Sequence, residues 1–292
     1  VFWISAAIIL AFAIAGAVVP ETFGQVAGFL FDFTTAYFGW FYLLAVFILV
    51  VFLIGLAISK FGGIRLGGEH DRPEFSFPTW IGMLFSTGFG SGLVFWGIAE
   101  PMSHFFEPPL AGIGSQTNES ARVAMGYSFF HWGVSQWALY AIVGLAIGFL
   151  QFRKQKDGLV STALEPITGR HPLVKNTIDS LAVIATVMGI ATSLGLGVLQ
   201  MNGGLNALIG TSSSIGIQLG IILAMFFTYM VSSATGLDKG MKFLSNLNLG
   251  LALGLLLFVF FAGPTVFILE SFTLALGDYL SRFIQYSLRL QP

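Results

Sequence analysis

The sequence contains no cysteine and very little charge. Without cysteine it forms neither a disulfide nor a thiolate metal site, and its redox compartment leaves no mark. Charged residues make up 9% of the 292, against roughly a quarter in soluble domains. An excess of either sign is also missing, with 13 basic against 14 acidic residues, so nothing points to a nucleic-acid partner. His70, His104, His131 and His171 are scattered, and no HExxH or similar metal spacing occurs. No enzymatic motif is found, so the chain reads as a non-enzyme with no cofactor. No low-complexity segment, soluble domain or obvious internal repeat is visible. The chain begins at Val1 without a basic n-region, which reads as a fragment lacking its true N-terminus.

What remains is apolar: 55% of the residues are hydrophobic and the mean hydropathy is +0.85. The chain is therefore expected to be an all-α integral membrane protein. A span needs about 20 mostly apolar residues, and seven candidates are found: 2–19, 36–58, 77–99, 121–150, 177–199, 214–234 and 244–268. Loops 60–75, 151–176 and 235–243 hold ten Lys/Arg, and the alternate segments 20–35, 100–122, 200–213 and 269–292 hold three. That alternation places the N-terminal side and the basic loops in the cytoplasm. Two segments look interfacial. Gly158–Gly169 is short and mixed. Glu270–Leu290 places Leu276, Leu280, Phe283, Ile284 and Leu288 on one helical face, with Asp278, Arg282 and Arg289 largely off it, as in an amphipathic surface helix.

Three constellations could carry function. In STGFGSGLVFWGIAEP, Ser86 to Pro101, Gly88, Gly90 and Gly92 alternate inside an apolar run. A nucleotide loop is the weakest reading, since GxGxG here follows no strand and sits at membrane depth. Gly88 and Gly92 form a GxxxG pair, and Gly82, Ser86 and Thr87 add small residues, which suits helix packing. Alternation at i, i+2, i+4 exceeds what one packing face requires. It also fits a discontinuous helix, whose freed carbonyls line a substrate or cation path. In HWGVSQWALY, Trp132, Trp137 and Tyr140 stand away from the ends of the fourth span. An unbroken helix at about 100° per residue would put their rings on one arc. They read either as interfacial anchors or as a cage for a quaternary ammonium held by cation–π attraction. No acid lies deep in a span, which suits a bulky, permanently charged substrate better than a proton relay. In ATVMGIATSLGLG, Ala185 to Gly197, Thr186, Thr192 and Ser193 could coordinate an ion or back-bond to their own helix.

The run MLFSTGFGSGLVFWGIAEP (Met83–Pro101) resembles the glycine stretch and FWG-x-AEP signature of the betaine/choline/carnitine transporters. So do FFHWGVSQWALYAIVGLA (Phe129–Ala146), ATSLGLGVLQMNGGL (Ala191–Leu205), GLDKGMKFLSNLNLGLAL (Gly236–Leu253) and GPTVFIL (Gly263–Leu269), in the family's order. The resemblance covers the whole chain.

It implies a LeuT-like fold of twelve spans, two peripheral ones followed by two inverted repeats of five. Residues 1–76 would be the peripheral helices with a cytoplasmic loop, and 77–268 the first repeat. Residues 269–292 would be the extracytoplasmic connecting helix, with the second repeat missing. The implied substrate contacts are Trp132, Trp137 and Tyr140 of an aromatic box, the unwound stretch Gly88, Phe89, Gly90, Ser91 and Gly92, and Phe95. Sodium contacts are implied for Ser86, Phe89 and Thr186. Phe89 departs from the Met common in the family. Gly92 stands where proton-linked choline members often carry Asp. Ile190 stands where sodium-linked betaine members can carry a second threonine, which counts against one of two sodium sites. The resemblance thus implies a sodium-coupled importer of betaine-type compatible solutes in the inner (plasma) membrane. Its partners would be a small osmolyte and the bilayer, with a homo-oligomer left open. The alternatives are proton-coupled choline uptake, carnitine-type exchange, and, from another class, a channel or membrane scaffold.

Overall fold

The computed structural model describes residues 1–68, 70–88, 91–236 and 240–290, and for residues 87, 88 and 91–93 the backbone only. Every regular element among them is helical. In chain order these are α1 (Phe2–Val18), α2 (Pro20–Ile58), α3 (Phe77–Gly88), α4 (Ser91–Phe106), α5 (Asn118–His131) and α6 (Val134–Gly148), which continues into a π turn at Phe149–Arg153. There follow α7 (Val160–Thr168), α8 (Pro172–Ile209), α9 (Ile215–Thr235), α10 (Lys242–Ala262) and α11 (Thr265–Ser287).

Five segments among the described residues are long and apolar enough to cross a membrane: Pro20–Ile58, Asn118–Arg153, Pro172–Ile209, Ile215–Thr235 and Lys242–Ala262. The first expected span is the apolar helix α1, of 17 residues, slightly short of the ~20 a span needs. The third expected span falls on α3 and α4, with Phe89 and Gly90 outside the described residues.

Helix and apolar run do not coincide. Residues 20–35, expected as a loop, are the first half of the 39-residue α2. At ~1.5 Å per residue that helix is on the order of 58 Å long, about twice the hydrocarbon thickness. Glu21 and Asp32 lower the hydropathy there without removing any helical backbone bond, so the helix runs on past the apolar segment. Segment 200–213 behaves likewise, because α8 continues to Ile209. Pro20 at the first turn of α2 sets the boundary with α1: it lacks only an N–H that the helix start leaves unused. The fourth expected span is not one helix. It divides at Trp132–Gly133 between α5 and α6.

The chain forms two compact units, one of residues Val1–Asp71, Phe129–Ile190 and Tyr279–Pro292, the other of Arg72–Ser128 and Ala191–Asp278. In the first, α2 packs on α1 and on α6. Ser5, fully buried, donates its hydroxyl to the Ser180 carbonyl at 3.3 Å. In the second, α3 packs on α10. A Cβ on Gly82 would lie 3.2 Å from Asn246 Oδ1, so the glycine sets how closely these two helices approach. Buried serines (Ser5, Ser120, Ser161, Ser180, Ser245) are as prominent as buried apolar side chains, while Phe226, Leu223 and Phe258 are exposed. That is the distribution lipid selects: hydrocarbon solvates large apolar side chains, and small residues let helices meet.

Candidate functional site

The sequence HWGVSQW builds a turn inside the first unit. Gly133 caps α6 in extended geometry, and only glycine fits. A Cβ there would lie 2.5 Å from the Phe129 carbonyl oxygen and 2.6 Å from Tyr279 Oη. Interrupting a helix frees backbone groups that must be paired away from water. Two side chains do this. The Trp137 indole Nε1–H donates to the Trp132 carbonyl at 3.2 Å. The Val134 N–H donates to Tyr279 Oη at 3.0 Å. Tyr279 is buried and stands edge-on to Phe283, 5.7 Å away, and Phe283 in turn meets Phe130 at 6.1 Å.

The turn alters the expected aromatic constellation. Trp132 sits in the turn and not on a helical face, so a placement that assumes one unbroken helix from Trp132 to Tyr140 does not hold. Trp137 and Tyr140 do share the α6 surface at i, i+3. Their rings lie 5.5 Å apart and are tilted by 40°. Tyr140 is 60% exposed, so a ring face is available to a ligand. The structure joins Trp132 to the pair through its carbonyl and the Trp137 indole.

The glycine run belongs to the second unit. Gly88 is the last residue of α3, and Ser91 and Gly92 open α4. Phe89 and Gly90 lie outside the described residues, and with them the core of the expected unwound stretch. Phe95 stands on α4, its ring edge-on to Trp96 at 5.3 Å. Ser86 donates its hydroxyl to the Ser245 carbonyl at 3.3 Å and accepts from Asn248 Nδ2 at 3.3 Å. At Gly82 and Ser86, then, the small residues serve the α3–α10 contact, as the packing reading of that stretch requires.

Thr186 lies in the first unit on α8. Its hydroxyl donates to the Ala182 carbonyl at 2.8 Å, which leaves its oxygen lone pairs for a cation. It lines a groove of about 480 Å³ with Asp179, Val183 and Leu159. Both Asp179 carboxylate oxygens are engaged: one accepts from the Ser161 N–H at 3.0 Å, the other from the Ser161 hydroxyl at 2.8 Å. An acid on α8 thereby caps the N-terminus of α7, favourable both for the orphan N–H and for the helix dipole.

The expected amphipathic helix forms as α11, but its polar face is not simply solvated. Asp278 is 5% exposed. Arg122 of α5 grips it with two prongs, Nε to Oδ2 at 2.5 Å and Nη2 to Oδ1 at 2.6 Å. Leu276, Leu280 and Ile284 face outward. Asp278, Tyr279 and Asp179 were not singled out from the sequence as paired groups. The two tyrosines Tyr279 and Tyr286, seven apart on one helix and flanking the line of Asp278, were the available signal for a buried stripe.

The profile of the betaine/carnitine/choline family transporters matches residues 1–292. An ectoine/hydroxyectoine transporter of Virgibacillus pantothenticus is 61% identical over the whole chain, which covers 58% of that protein. The glycine betaine transporter OpuD of Bacillus subtilis is 45% identical, with 57% of its length covered. The high-affinity choline transport protein of Escherichia coli K12 is 40% identical over 99% of this chain and 42% of its own length. The chain thus spans well under two thirds of these curated relatives.

Proposed function

Because the chain belongs to the betaine/carnitine/choline family of transporters, we propose that it is the N-terminal part of a secondary carrier that imports a zwitterionic compatible solute. Membership assigns it to the transporters and not to the enzymes, and its apolar helices make it a multi-pass membrane protein. Residues 77–268 would form the first repeat of the carrier, and 269–292 the connecting helix.

The observation that carries the reading is the Trp137–Tyr140 pair on α6, its rings 5.5 Å apart and Tyr140 exposed. Electron-rich rings attract a cation without a carboxylate. That attraction extends to a delocalised amidinium, as in ectoine, and to a trimethylammonium. The 61% identity to an ectoine/hydroxyectoine transporter, against 45% to a glycine betaine and 40% to a choline transporter, favours the ectoine class over glycine betaine, and both over choline. Trp132, and separately Phe95 and the stretch Gly88–Gly92, are further substrate contacts proposed from the family resemblance alone. Sodium is the proposed coupling ion; the family resemblance offers Ser86 and Phe89 and, separately, Thr186 as its candidate contacts.

Uptake by the full-length protein in proteoliposomes tests this. A sodium gradient should drive accumulation of ectoine above the external concentration, with glycine betaine the weaker competitor and choline the weakest. Accumulation driven by a proton gradient without sodium would replace the coupling ion. Flux that never exceeds equilibration would favour a channel.

A further inference from the structure

The short helix α7 is turned the wrong way round for a loop helix in water. Its polar side faces the protein: Ser161 is fully buried, Thr162 is 7% exposed, and Asp179 clamps Ser161 through two hydrogen bonds. Its apolar side faces out. Val160, Leu164 and Ile167 stand at i, i+4 and i+7; Val160 is half-buried, whereas Leu164 and Ile167 are exposed, Ile167 by 85%. Leu173, 70% exposed, extends the apolar edge past Gly169. A helix facing water buries its apolar stripe and exposes its polar one. The reverse arrangement needs an apolar medium outside.

The position of α7 names that medium. The candidate spans Asn118–Arg153 and Pro172–Ile209 end and begin within a few residues of it, so both its ends are tethered at a membrane surface. The charge names the headgroup. Segment 151–176 carries Arg153, Lys154, Lys156, Arg170 and Lys175 against Asp157 and Glu165. Glu165 is engaged by Arg170 at 2.6 Å and Lys175 at 3.8 Å. Lys154 and Lys156 are exposed, and the Arg170 side chain remains 82% exposed although paired. Apolar side chains on one face flanked by exposed cations suit immersion beside anionic lipid.

We propose that α7 lies in the headgroup layer with Leu164, Ile167 and Leu173 inserted, and that Lys154, Lys156 and Arg170 form a binding site for anionic phospholipid headgroups. The test uses full-length protein with a single environment-sensitive label at Ile167→Cys. It is reconstituted in phosphatidylcholine vesicles with or without phosphatidylglycerol, either lipid brominated on its acyl chains. The label should be blue-shifted and quenched by brominated lipid, with brominated phosphatidylglycerol the stronger quencher. The triple variant K154Q/K156Q/R170Q should lower that preference by about fivefold per cation removed, while the label stays immersed. A label quenched from water, or one shielded from both water and lipid by protein, would overturn the proposal. So would equal quenching by the two lipids in the parent protein. Because the readout needs no transport, its failure would leave the carrier reading untouched.

Discussion

At the scale of single residues, the Trp137–Tyr140 pair separates a ligand cage from simple space filling. Leucine at Trp137 stays apolar but removes the electron-rich face, and with it the indole N–H that pairs the Trp132 carbonyl, so the cage is judged on cationic against neutral ligand and not on affinity alone. A desolvated cation–π contact contributes about 0.5–2 kcal/mol, so substrate affinity should fall roughly 2- to 30-fold. Tyr140→Phe keeps the ring and should lose less. Binding of a cationic substrate against a neutral analogue of the same shape is the measurement; equal weakening of both would reduce the rings to packing. Tyr279 makes a different prediction. Tyr279→Phe retains the ring contacts with Phe283 but leaves the Val134 N–H without the acceptor it has at 3.0 Å. An unpaired backbone donor costs about 1–3 kcal/mol. The thermal midpoint of the full-length protein should drop, and a midpoint equal to wild type would show that the hydroxyl does not hold the turn.

At the scale of elements, α11 is tied to α5 by an asymmetric ion pair. The Asp278 side chain is 7% exposed and that of Arg122 is 48% exposed. Arg122→Gln leaves a carboxylate with no route to water, whereas Asp278→Asn leaves a guanidinium that already reaches it. Removing one partner of a fully buried pair costs about 3–5 kcal/mol; the half-exposed arginine lowers that figure for the Asp278 change. Denaturation of the two variants should therefore rank Arg122→Gln as the less stable, and the opposite order would mean Asp278 is solvated. A second element-scale effect sits at the end of α7. Gly169 (φ +74°) terminates the helix, and Arg170 bonds back to Glu165 across that end. The Arg170 hydrogen bond, chiefly, holds the Glu165 carboxyl below its ordinary value of 4.5. A depressed carboxyl stabilises the folded end above the unfolded pKa and loses that contribution as pH falls through the folded one. A spin label at Thr168 should become more mobile only as pH drops below about 4.5. Glu165→Gln should abolish that step and be already mobile at neutral pH.

For the whole molecule, the distribution of charge predicts the orientation in the membrane. Ten of thirteen Lys/Arg fall in alternate loops, so 60–75, 151–176 and 235–243 are expected on the cytoplasmic side. A cysteine at Lys156 or Arg65, in a chain with none of its own, should resist an impermeant reagent added outside intact cells. One at Asn118 should react. Labelling of Lys156→Cys from outside would invert the topology, and with it the leaflet to which α7 belongs.

Hydropathy, alternating loop charge and the glycine and aromatic motifs made the membrane class, the helical fold and the family legible from the sequence alone. These signals are local: an apolar run of span length has no other solvent than lipid, and its backbone no other partner than itself. Pairings between distant residues were not legible in that way. Gly133 beside Trp132 permits the division but does not reveal it, because the groups that make the division tolerable are an indole five residues on and a tyrosine on α11. Asp179 capping α7 and Arg122 gripping Asp278 join residues 18 and 156 positions apart. Nor did the apolar run determine where α2 begins or where α8 ends, since a helix needs only its own carbonyls to continue into water. The sequence determined which segments lipid would accept. The tertiary structure decided which polar groups meet, because a buried donor or acceptor takes its partner from whichever element packing brings within reach.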